Sequence, residues 1–245
     1  MDEGFAKLHP LVYHQFLVRD LLLSECPMTP NLSIATTIED RLTELGGISP
    51  SRLLLTPPPG LATHADLELA NESGANGLVE MVDGCLVEKA MGYEASVVAM
   101  AIAHILRQFV STHRLGLISG ADGFFRLLDS TRGPDMAFVA VDRLPNGAFP
   151  NQNYPQIAPN LVVEVLSPGN TKAEMARKKL EYFHCGVQVV WMVDCSHRSV
   201  AVYTSSSNVR VLSEAETLDG GIALPGFSSP VADFFVDLDI GQPGL

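Results

Sequence analysis

Positive charge is what this chain has least of. Sixteen lysines and arginines stand against 28 aspartates and glutamates, a net charge of −12 over 245 residues. That excludes a broad nucleic-acid-binding surface and leaves room only for a local basic patch. Cysteine is scarce as well. Cys26, Cys85, Cys185 and Cys195 have neither CxxC nor metal-ligand spacing. A disulfide framework is therefore not expected, and a reduced, cytoplasmic protein is. The chain opens Met1-Asp2-Glu3, the wrong sign for the start of a secretion signal, and Met28 offers an alternative start. Long apolar runs are missing too: the longest, around Val97 to Val110, is broken by His104 and Arg107, so no membrane partner is expected. No internal repeat or low-complexity tract stands out.

What is present suffices for a sizeable core. Residues 1–44 read as an N-terminal extension, with a short helix over Leu11–Leu23 and a helix start at Thr36-Thr37-Ile38 that Gly46-Gly47 would stop. Residues 45–245 read as one domain. Thr63 and Asp66 have capping-box spacing for a helix to Asn71. Asp83-Gly84 between Leu78–Val82 and Cys85–Val87 predicts a hairpin. Val97, Val98, Ala101, Ile105, Leu106 and Phe109 give the segment 94–113 an apolar helical face. His104 and His113 on it have no second ligand one turn away and read as helix-face residues. Strands are predicted over Leu115–Ser119, Gly123–Leu128 and Met136–Val141, then a loop over 145–159. After that come a strand over Leu161–Leu166, a helix from Lys172 to Cys185, a buried strand over Val187–Val193 and an alternating pair, Val200–Thr204 and Val209–Leu212. The order predicts an α/β domain, a mixed central sheet flanked by helices.

The chemistry centres on Leu161-Val162-Val163-Glu164-Val165-Leu166-Ser167-Pro168. A carboxylate inside a β-branched apolar run needs a cation, a hydrogen-bond cage or an open cleft, because desolvation is costly. The other reading is an edge strand with Glu164 in solvent. Asp135, after Pro134, opens a strand 29 residues upstream (164 − 135 = 29). If the two strands are neighbours, their carboxylates share one cleft, and a hard divalent ion, Mg²⁺ or Mn²⁺, suits such all-oxygen ligands. A metal-activated water can attack a phosphodiester, and a nearby lysine can orient it. Lys172, Arg177, Lys178 and Lys179 follow on the next helix. A solvated basic face is the plain alternative. The helical wheel leaves two faces open. One is Met175, Tyr182, Phe183 and Gly186 with Lys178 at its border; the other is Ala173, Ala176, Leu180 and Phe183 with Lys178 outward.

Several stretches, in order, resemble the Uma-two (Uma2) family of restriction-endonuclease-like proteins in the PD-(D/E)xK nuclease superfamily. They are Glu80-Met81-Val82-Asp83-Gly84, Pro134-Asp135, Ala158–Thr171, Lys178 with Tyr182-Phe183 and Gly186-Val187, Val190–Asp194, and Leu224-Pro225-Gly226-Phe227. The resemblance spans about residues 50 to 240. It implies the restriction-endonuclease-like core, a metal-dependent endonuclease acting on DNA, Asp135 and Glu164 as metal ligands, Lys178 as the lysine assisting the water, and Glu80 as a further acidic site residue. One departure stands out. The superfamily's lysine lies two residues after the Glu, where this chain has Leu166; Lys178 matches a lysine displaced to the following helix.

Two other functions fit the pattern. One is a catalytically silent binding or regulatory module on the nuclease fold, suggested by Leu166 and the acidic charge. The other is a metal-dependent hydrolase of a small phosphorylated substrate. A homo-oligomer is expected because cutting both strands of DNA takes two sites.

Overall fold

The computed structural model of the chain describes residues 37–241. The short helix expected over Leu11–Leu23 and the alternative start at Met28 lie outside the described residues, as does most of the extension expected over 1–44.

A six-stranded mixed sheet forms the centre, in the order β10-β9-β8-β7-β6-β3. Its strands are β3 (Gly116–Ser119), β6 (Met136–Ala140), β7 (Leu161–Val165), β8 (Val189–Asp194), β9 (Ser199–Tyr203) and β10 (Val209–Ser213). Only β7 and β8 run parallel, joined by helix α4 (Lys172–His184); the other neighbours are antiparallel. The strand carrying Glu164 therefore lies inside the sheet, and the edge-strand alternative does not hold.

Alternation along each strand sends residues to two faces. Met136, Phe138, Leu161, Val163, Val165, Trp191 and Val193 pack beneath α3 (Tyr93–His113) and the apolar tail that ends in Phe234 and Phe235. Ala137, Val139, Val162, Val190 and Met192 face α4 and pack with Met175 and Tyr182. The buried stripe of α3 is Ala95, Val98, Ile102, Leu106 and Val110. It differs from the expected face: Val97, Ala101, Ile105 and Phe109 sit at its flanks, half-buried. A helix so rich in apolar residues presents more than one plausible stripe, and the sheet selects one. By length and composition α3 is the one described helix that could cross a membrane; here its stripe is spent on the sheet.

A second, four-stranded antiparallel sheet has the order β2-β1-β5-β4. It comprises β1 (Val79–Val82), β2 (Cys85–Glu88), β4 (Phe125–Leu127) and β5 (Ser130–Arg132). The β1–β2 turn places both Asp83 and Gly84 at positive φ, 46° and 65°, as a two-residue hairpin requires. A Cβ on Gly84 would lie 2.6 Å from the Gly60 carbonyl oxygen. Strand β5 was not expected: Ser130-Thr131-Arg132 carries no apolar signal, yet all three residues are buried.

Capping boxes start α1 (Ile38–Glu44) at Thr37, α2 (His64–Ser73) at Thr63 and α4 at Thr171. Helix α1 and its following loop are bonded to α4: Arg177 donates to the Glu44 carbonyl at 2.7 Å and Thr171 to the Gly46 carbonyl at 2.5 Å. Arg52 clamps the same helix through a two-pronged pair with Glu174, at 2.6 and 3.0 Å. Helix α4, which carries the site lysine, is thus held at its N-terminal half from two directions. Strands β11 (Thr217–Asp219) and β12 (Ser228–Pro230) form a small ribbon in the tail.

Candidate active site

Strand register brings the two expected metal ligands together. Met136 pairs with Val163 across β6 and β7, so the antiparallel register, continued by one residue, sets Asp135 opposite Glu164. Glu164 falls on the face toward α4, because Val162 does. Asp135 is the bend residue just before β6, and its carboxylate reaches the edge of β7, where the Val165 main-chain N–H donates to Oδ2 at 2.8 Å.

Glu164 is buried, and α4 closes over it. Lys178 and Tyr182 are one helical turn apart and share a face. Tyr182 Oη donates to Glu164 Oε1 at 2.5 Å, and Lys178 Nζ lies 3.4 Å from the same oxygen. Of the two helical faces left open by the wheel, the structure takes the one with Met175 and Tyr182; Lys178 points inward with its side chain 4 % exposed.

Glu80 arrives from the other sheet and shares Lys178, at 3.0 Å. It also accepts from Arg132 at 2.9 Å and from the Gly133 N–H at 3.1 Å. Arg132 continues to Glu181 at 2.7 Å, and Glu181 to Arg177 at 2.7 Å. The result is a buried chain of alternating charge from Glu164 to the surface, with each member bonded on both sides. Such networks are stable only when fully satisfied.

The ionisation states follow from this arrangement. Burial drives the Glu80 carboxyl upward, but Lys178, Arg132 and Lys89 outweigh it and hold Glu80 below the usual carboxylate range. Glu164 moves the other way. Burial raises it, the Asp135 and Glu80 charges add to that, and Lys178 offsets them only in part. Lys178 stays charged, since its two glutamates outweigh the cost of burial. Burial, then the charges of Glu164 and Glu80, push the Tyr182 phenol well up, so it remains a donor.

Two adjacent carboxylates, one of them with its ionised form disfavoured by its acidic neighbours, suit a divalent cation. Among the described residues no group of three or more His, Cys, Asp or Glu side chains is arranged to hold a metal. Asp135 and Glu164 are the carboxylates that could contribute to such a site, with water or substrate oxygens completing it, as Mg²⁺ tolerates.

Three of the expected site residues, Glu80, Glu164 and Lys178, fall in this one network, and Asp135 lies close enough for its charge to act on Glu164. Three further residues do not come from the expected set. Arg132 and Glu181 are the relays just described. Lys89, directly after β2, is buried and pairs with Asp135 Oδ1 at 3.2 Å. The hairpin register carried a signal for it: Glu80 pairs with Val87, and Lys89, two residues on, shares that face.

The expected basic patch on α4 is smaller than its four cations suggested. Lys178 is buried, Arg177 pairs with Asp83 and Glu181, and Lys179 lies 4.3 Å over the Tyr203 ring. Lys172 and Lys179 line a cavity of about 530 Å³ at the C-terminal ends of β7 and β8, floored by Leu166, Met175 and Met192. Leu166 supplies only apolar surface there.

Known proteins resemble this chain in sequence and in fold. The family model described as "Uma2: Putative restriction endonuclease" matches residues 64–232. No curated protein matches the chain. Among solved structures, a "putative nuclease belonging to DUF820" from Anabaena variabilis ATCC 29413 superposes with a TM-score of 0.59 at 20 % identity. That match covers 65 % of this chain and 90 % of that one, and it shows a shared fold.

Proposed function

The chain belongs to the Uma2 family, and from that premise we propose that it is a divalent-metal-dependent endonuclease hydrolysing DNA phosphodiester bonds. The observation that carries this reading is the Asp135–Val165 hydrogen bond at 2.8 Å, which holds the Asp135 carboxylate against β7 one residue from Glu164. Asp135 and Glu164 would hold Mg²⁺ or Mn²⁺. When bound, the ion supplies positive charge against that developing on the phosphate and acidifies a water.

The chain's own residues then have separable tasks. Tyr182 and Lys178 orient the Glu164 carboxylate through Oε1. Glu80, fixed by Arg132 and the Gly133 N–H, keeps the Lys178 ammonium in place. The family pattern puts Lys178 on the attacking water. Its ammonium is buried and spent on two glutamates, which favours a positioning role acting through Glu164. Lys172 and Lys179 at the neighbouring cavity are the cations open to a phosphate backbone, so DNA binding would be weak and strongly salt-dependent.

The test is calorimetric titration with Mn²⁺, alongside plasmid nicking, on wild type, Asp135→Asn and Glu164→Gln. Binding and nicking in wild type that both vanish in the variants are expected. Metal binding without nicking would favour the second reading, a silent nuclease-fold module, which Leu166 at the lysine position motivates. No binding in wild type would overturn the metal-dependent reading.

A further inference from the structure

The site holds two buried lysines, and they are bonded differently. Lys178 has two carboxylate partners on its own side of Glu164. Lys89 has one. Its side chain is 3 % exposed, and its ammonium donates to Asp135 Oδ1 at 3.2 Å and to the Ala121 carbonyl at 3.3 Å. Among the described residues Asp135 is its sole ion-pair partner.

Asp135 is divided between two functions. Oδ2 is engaged by the Val165 N–H inside the sheet, whereas among the described residues Oδ1 is engaged only by Lys89. A cation held between Asp135 and Glu164 therefore meets the Lys89 ammonium at its own ligand oxygen. Like charges at that distance repel strongly in a partly buried site. Displacement removes the one ion pair of this buried ammonium and leaves only the longer-range charges of Glu80 and Glu164 against it, so it costs free energy.

We infer that Lys89 is the resident cation of the site: it neutralises Asp135 until a divalent ion displaces it from Oδ1. This rests on the reading of Asp135 and Glu164 as metal ligands. Lys89 is on this account a positioning residue that sets how tightly the two carboxylates hold a divalent ion.

The experiment is Mn²⁺ calorimetry on the full chain with Lys89→Met and Lys89→Arg. Removing the competing charge should tighten Mn²⁺ binding by about tenfold or more, given the size of charge–charge terms a few ångströms apart. Lys89→Arg keeps the charge and should bind like wild type. Equal or weaker binding by Lys89→Met, with wild type still binding, would overturn the inference and leave the two-carboxylate site standing. No binding by any of the three proteins would overturn the metal reading and this inference with it. Should Lys89→Met fail to fold, wild type decides the matter. Acylation of Lys89, read by peptide mass spectrometry, should rise when Mn²⁺ is added while that of Lys178 stays low; no rise overturns the inference.

Discussion

Tyr182 donates its hydroxyl hydrogen to Glu164 Oε1 at 2.5 Å, from a helix to the strand beneath it, with both side chains buried. The bond ties the orientation of the central carboxylate to the seating of α4. Tyr182→Phe keeps the ring and removes the donor. It should cost about 1.5–3 kcal/mol, the range for hydrogen bonds to charged groups, measured by urea unfolding.

Lys178→Met should be more damaging. It leaves Glu80 and Glu164 buried with less compensation, and breaking such a network by removing one partner costs about 3–5 kcal/mol. The Glu80→Gln, Lys178→Met double variant should be less unstable than the two single losses added together, because their shared interaction is removed once. A double-mutant cycle in urea would read that coupling; strict additivity would mean the Glu80–Lys178 contact at 3.0 Å contributes nothing.

Acid sensitivity follows from Glu80. Burial works to raise its carboxyl, but Lys178, Arg132 and Lys89 hold it below the ordinary value of 4.5. A carboxyl depressed in the folded state contributes stability that is present above its unfolded value and lost as pH falls through the folded one. The stability gap between wild type and Glu80→Gln should therefore be constant near neutrality and narrow as pH drops below about 4.5. A gap that stays constant into strong acid would contradict the assignment.

Gly46 lets α1 approach α4. Its φ is +94°, and a Cβ there would lie 2.5 Å from the Glu174 main-chain nitrogen. Gly46→Ala should cost more than about 1 kcal/mol, since both the backbone angle and the space forbid the side chain. The thermal midpoint would report it. Gly47, also at positive φ but with open space around its would-be Cβ, is the matched control and should lose less.

What the sequence alone determined is the local grammar. The helix start at Thr37, the capping box at Thr63, the Asp83-Gly84 hairpin, and the β-branched run around Glu164 are written in adjacent residues and appear in the structure where their spacing put them. Order along the chain also marked Asp135, Glu164, Lys178 and Glu80. Three things were decided by tertiary structure. Strand β5 is polar, and only its pairing with β1 makes Arg132 a partner of Glu80. The buried stripe of α3 was one of several that its apolar surface allowed. The inward turn of Lys178 was open between two helical faces until Glu80, brought in by the second sheet, and Glu164 supplied the charge to hold it. The physical reason is common to all three. Backbone periodicity fixes which residues share a face, but which faces meet depends on strand order and register, and those are set by contacts between segments far apart in the chain.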